Sequence, residues 1–141
     1  MSRAIANLIR LHGWRIDEHR RAVAAAGRRV EEVSAAIVAL DEAFRREQDH
    51  LRAGADHDFF GFASYADHVR TQHSELRTTL AAAEAELADA RQRLAEAYRE
   101  GRKFEMLKAD LDRAAAIAAA RREQRRLDET AVIMGRAKAL R

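Results

Sequence analysis

Glu47 and His50 form the one Glu-x-x-His spacing in the chain. On a helix, residues three apart share a face, and such pairs hold iron in carboxylate bundles. That chemistry needs a second copy of the motif and two more glutamates on facing helices, so Glu47 and His50 read as a solvated helix end. Asp56, His57 and Asp58 are adjacent in a glycine-flanked stretch and lack a preorganised shell, so they read as a solvated turn rather than a metal site. His68 and His73 are five apart and cannot share a ligand sphere on one helix face. There is no Gly-rich phosphate loop, no HExxH and no GxSxG. Cysteine is absent, which excludes disulfides, thiolate metal sites and thiol catalysis. The expectation is a protein with no catalytic residue, no metal and no cofactor, acting by contact with other proteins.

Arginine doublets recur at 20/21, 28/29, 45/46, 121/122 and 125/126. They could grip nucleic acid. Acids are interleaved at helical spacing, however, and no base-stacking aromatics stand nearby, so solvated helix faces are the favoured reading.

The elements carrying these residues are long helices. The 141 residues include no proline and six glycines, and 35% are charged, a composition of long helices and coiled coils. Ile9, Ile16, Val23, Val30, Ile37, Phe44 and Leu51 are spaced by seven, with Ala26, Val33 and Leu40 at the interleaved positions. Such a repeat makes a left-handed coiled coil. His12, His19 and Glu47 also fall on this seam and make it imperfect. Gly54 to Gly61 break the pattern, and Ser64 looks like an N-cap with Asp67 three residues on. A second stripe runs through Leu76, Leu80, Ala83, Leu87, Ala90, Leu94, Ala97, Gly101, Phe104, Lys108 and Leu111, then resumes loosely at Leu127, Ala131 and Met134.

The predicted fold is all-α: one two-helix antiparallel coiled-coil hairpin over 1–141, with helix one at about 3–52, a bend at about 53–63 and helix two at about 64–137. At 1.5 Å per residue the helices span ~75 and ~105 Å. The second is longer, so roughly its last 25 residues overhang as a basic helix that packs on something else. In the hairpin, Val30 and Ile37 face the Leu80–Leu87 stretch.

The net charge of +3 hides a pattern: residues 1–30 carry +5, residues 31–98 carry −7, and residues 99–141 carry +5. A hairpin brings the two basic ends together and leaves an acidic arm, a polarity that can orient a partner. No apolar run approaches the ~20 residues of a membrane span, and no small-residue cleavage site follows the N-terminal apolar residues. The expected location is cytoplasmic.

Two apolar features lie off the seam. Leu11 and Trp14, with Leu8 beside them, face away from Ile5, Ile9 and Ile16, and an exposed Trp calls for a cover. At the bend, Phe59, Phe60, Phe62 and Tyr65 are half of all the aromatics, and they either cap the open end of the hairpin or dock a partner.

Arg102-Lys103-Phe104-Glu105-Met106-Leu107-Lys108, followed by Arg122-Glu123-Gln124-Arg125-Arg126-Leu127-Asp128-Glu129-Thr130-Ala131, resembles the C-terminal signature of the FliJ family of flagellar export proteins. The architecture of the whole chain is similar to that family, and the motif covers about 100–131. The resemblance implies a non-enzymatic stalk of the type III export apparatus, similar to the coiled coil of the rotary ATP synthase gamma subunit. It implies three partners: the hexameric export ATPase, the export-gate membrane protein, and export chaperones. It also implies peripheral association with the membrane export apparatus. On this reading Leu11, Trp14, Arg121, Arg122, Arg125 and Arg126 contact the ATPase, and Phe59, Phe60, Phe62 and Tyr65 contact the gate or another partner. Stalk proteins of virulence injectisomes share the architecture and are the first alternative. A generic coiled-coil adaptor is the second, and a nucleic-acid-associated coiled coil is less favoured.

Overall fold

The computed structural model describes residues 2–54 and 59–140. Helix α1 runs Ser2–Arg52 and helix α2 runs Phe59–Ala139. No strand is present among the described residues, and the two long helices pack against each other as a two-helix hairpin requires. The strongest helix breaker, proline, is absent from both spans, and Ala, Arg, Glu and Leu are among the strongest helix formers. Thr71, Thr78 and Thr79 donate their hydroxyls to the carbonyls of Asp67, Ser74 and Glu75, four residues back, so they are satisfied without leaving the helix.

Helix α1 stops at Gly54. Its φ of 75° is left-handed, a conformation that an L side chain resists. The Gly54 N–H donates to the Leu51 carbonyl at 3.1 Å, as in a Schellman-type cap. The expected break is therefore present at this glycine. The Asp56-His57-Asp58 cluster lies outside the described residues.

Helix α2 opens earlier than the sequence suggests. It begins at Phe59, not near residue 64, and Ser64 lies inside it rather than at its N-cap. The reason is packing. Phe62, Tyr65, Val69, His73 and Leu76 extend the second stripe toward the bend, and all five are at least half-buried. That contact outweighs Gly61, which costs a helix about 1 kcal/mol relative to Ala.

The chain forms two compact units, one of residues 15–97 and one of residues 1–14 with 98–141. In the first, Val23, Ala26, Val30, Val33, Ile37, Leu40 and Phe44 line one side of the seam, and Val69 through Ala97 line the other. Val33, Ile37, Val69, Ala83 and Ala97 are buried, and most other seam side chains keep a partly wet edge. The pairing is antiparallel. Phe44 meets Phe62 and Tyr65, while Asp41, one turn earlier on α1, meets His73 farther along α2. This register puts Val30 across from about Ala83–Leu87 and Ile37 across from about Leu76–Leu80. One seam position departs from the repeat: Glu47 is exposed, and Gln48 turns inward instead. A neutral amide is cheaper to desolvate than a carboxylate.

In the second unit, Ile5 and His12 are buried, and His12 meets Phe104. Lys108 and Leu111, expected to continue the stripe, are exposed. Ten residues of α1 remain beyond His12, so α1 can accompany α2 for about ten residues past Phe104. Every residue from Glu105 to Leu140 is exposed.

Candidate interaction surfaces

Leu8, Leu11 and Trp14 follow one another at steps of three on the first turns of α1. The seam there faces Ile5, Ile9 and His12, and the three-residue steps carry this ridge round to the solvent side. Trp14 is 61% exposed. Within its unit no other segment covers it, so the chain presents a large apolar surface near its basic N-terminal segment.

Arg121, Arg122, Arg125 and Arg126 belong to the same unit, on the exposed part of α2. Arg126 pairs with Glu123 at 2.9 Å. Among the described residues Arg121, Arg122 and Arg125 meet no acid, so three cations stay available. Elsewhere the doublets behave as solvated faces: Arg20 pairs with Asp17 and Arg29 with Glu32 on their own helix. Exposed pairs of this kind contribute only tenths of a kcal/mol each.

The aromatic cluster divides. Phe44 stacks on Phe62, centroids 5.8 Å apart and planes 22° from parallel, and on Tyr65 at 6.2 Å. Phe62 and Tyr65 also meet, at 6.3 Å. These three rings close the seam next to the bend. Phe59 and Phe60 stand outside it, with Phe60 91% exposed. The sequence groups four aromatics; the structure places two in the packing and two in water.

Spacing alone undervalues His12. It stands on the seam by spacing, yet a histidine there reads as a flaw. The structure buries it to 5% exposure, with its ring edge-on to Phe104. Its seven-residue relation to Ile5 and His19 was the available signal. His73 is half-buried and contacts Asp41 across the helices at 3.4 Å, while His68 is exposed. Among the described residues, no three His, Asp or Glu side chains group closely enough to hold a metal ion, and no helix is long and apolar enough to cross a membrane.

Paired helices with a narrow seam, and apolar and basic side chains presented outward, define a coiled-coil scaffold. The chain belongs to the FliJ family: the family model described as flagellar FliJ protein matches residues 1–140. Comparisons with curated proteins and with solved structures give no match. The chain is thus a component of the flagellar export apparatus, in a family of non-catalytic export components. The matched family is the flagellar one, which favours that system over an injectisome.

Proposed function

We propose that this chain is the stalk of the flagellar export ATPase, promoting assembly of the ATPase hexamer and coupling its cycle to the export gate. The observation that carries this reading is the exposed stretch of α2 beyond about residue 114, with Arg121, Arg122 and Arg125 unpaired among the described residues, in the same unit as exposed Leu11 and Trp14. A single helix with no packed face is marginal in water, so it gains order from a surface that surrounds it. A ring pore with an acidic rim is such a surface. The arginines speed the encounter and the apolar pair holds the complex.

The acidic segment 31–98 is the part that faces the export gate, with Phe59 and Phe60 as the contact for the gate or another partner. Handling of empty export chaperones falls to the same surfaces. The protein works in the cytoplasm, peripherally at the membrane export apparatus.

The test is ATPase assembly and turnover with the wild type against two variants: Leu11→Ala with Trp14→Ala, and the four arginines changed to Glu. Both variants are expected to stimulate less. Stimulation equal to wild type by both, at low and moderate salt, would remove this end from the ATPase contact. Impairment of the arginine variant in rate alone, and at low salt alone, would reduce the arginines to steering.

A further inference from the structure

Past about residue 114, α2 has no α1 residues left beside it. The apolar side chains in this stretch are ordered. Ile117, Ala120, Gln124, Leu127, Ala131 and Met134 follow in alternating steps of three and four, the spacing of a coiled-coil stripe. Arg113 and Lys138 take the next positions outward and end it.

This stripe does not continue the seam that holds α1. Carried forward from Gly101 and Phe104 in the same steps, that seam would pass through Leu111, Ala115, Ala118, Arg122, Arg125 and Glu129. Each residue of the new stripe lies two positions later, which is about 200° round the helix. So α2 exchanges one apolar face for the opposite one where α1 runs out. The new face is in water: Ile117 and Met134 are exposed, and Leu127 is 53% exposed.

We propose that this face is the contact of an antiparallel homodimer formed by the α2 tails of two copies of the chain. The charges beside the stripe choose this occupant. Arg121 and Asp128 flank one edge, and Glu123 and Thr130 flank the other. In an antiparallel pair Ile117 packs on Met134 of the other copy, Ala120 on Ala131, and Gln124 on Leu127, each layer occurring twice by the two-fold symmetry. Arg121 then faces Asp128 of the other copy, also twice, and Glu123 faces neutral Thr130. A parallel pair would instead set Glu123 against Asp128, acid against acid.

Both charges are available. Arg121 has no ion-pair partner among the described residues, and Asp128 accepts a hydrogen bond from the neutral Gln124 amide at 3.1 Å without meeting a cation. Arg122 and Arg125 project away from the stripe, so the dimer leaves them in water. The dimer and the ATPase pore draw on the same exposed stretch and on Arg121, so they are alternative occupants of it, and the chain without the ATPase reads the dimer by itself. Two of the six stripe positions are alanine and one is glutamine, which makes the association weak and concentration-dependent.

The experiment is sedimentation equilibrium of the full chain from about 1 µM to about 1 mM, the range of weak to moderate affinities. The mass is expected to rise from one chain toward two. Arg121→Asp and Asp128→Arg should each raise the dissociation constant roughly tenfold, since each replaces two attractions by two repulsions. The double swap should restore wild-type association. Residues 121 and 128 are two helical turns apart in one chain, too far to pair with each other, so rescue reports an intermolecular contact. Orientation is read by disulfides against a cysteine-free background. Mixing Ala120→Cys with Ala131→Cys should give the mixed dimer. A mass of one chain throughout, association indifferent to the charge changes, or an efficient homodimer of Ala120→Cys alone would overturn the proposal.

Discussion

The ring of His12 stands edge-on to Phe104, centroids 5.5 Å apart and planes 64° from parallel. This contact fixes how the start of α1 sits on α2. Phe104→Ala should lower stability in urea by ~2 kcal/mol, less than a fully buried ring because Phe104 is half-buried. Met106→Ala, two residues on and exposed, should change it by less than ~0.5 kcal/mol. Equal effects of the two would contradict the placement of the seam.

Ala83 is buried while its neighbour Ala82 is exposed. Leucine at 83 would overfill the seam and should cost ~1–3 kcal/mol. Leucine at 82 points into water and should be close to neutral. Thermal melts of the two single variants read the register directly. A neutral Ala83→Leu would mean that α2 is rotated from its described position.

The aromatic cluster should separate by assay. Phe62→Ser and Tyr65→Ser remove rings that stack on Phe44, and each should lower the melting temperature. Phe59→Ser with Phe60→Ser should leave it nearly unchanged, because both rings are in water. If these two dock a partner, the double change also cuts binding of the export gate. Unaltered gate binding would confine the cluster to packing.

Gly54→Ala tests the end of α1. The left-handed φ of 75° costs any side chain about 1 kcal/mol or more. A smaller melting temperature with unchanged helicity is expected, and a more stable variant would show that the cap adopts another conformation.

Much of the fold is legible in the sequence because its signals are periodic. The seven-residue repeat from Ile9 to Leu51 names the α1 seam, and Gly54 marks its end. The start of α2 is less legible. Ser64 and Asp67 imitate a cap, and only the stacking of Phe62 on Phe44, a long-range contact, shows why the helix begins sooner. Glu47 against Gln48 is the same lesson at one position: spacing names Glu47, and desolvation favours the neutral amide beside it. The candidate surfaces were partly visible. Leu11 and Trp14 stand off the repeat by simple counting, and the structure leaves them exposed. The four bend aromatics are not separable by composition, which does not say which rings find a partner.

The central claim is that the end carrying Leu11 and Trp14 is covered by the export ATPase. Trp14 is the one tryptophan of the chain, so a fluorine-labelled tryptophan gives a single resonance from that site. Titration with the export ATPase should shift and broaden this resonance saturably, in step with hexamer assembly, and protect it from a soluble quencher. An unchanged, quencher-accessible resonance while the ATPase is assembled and stimulated would contradict the account.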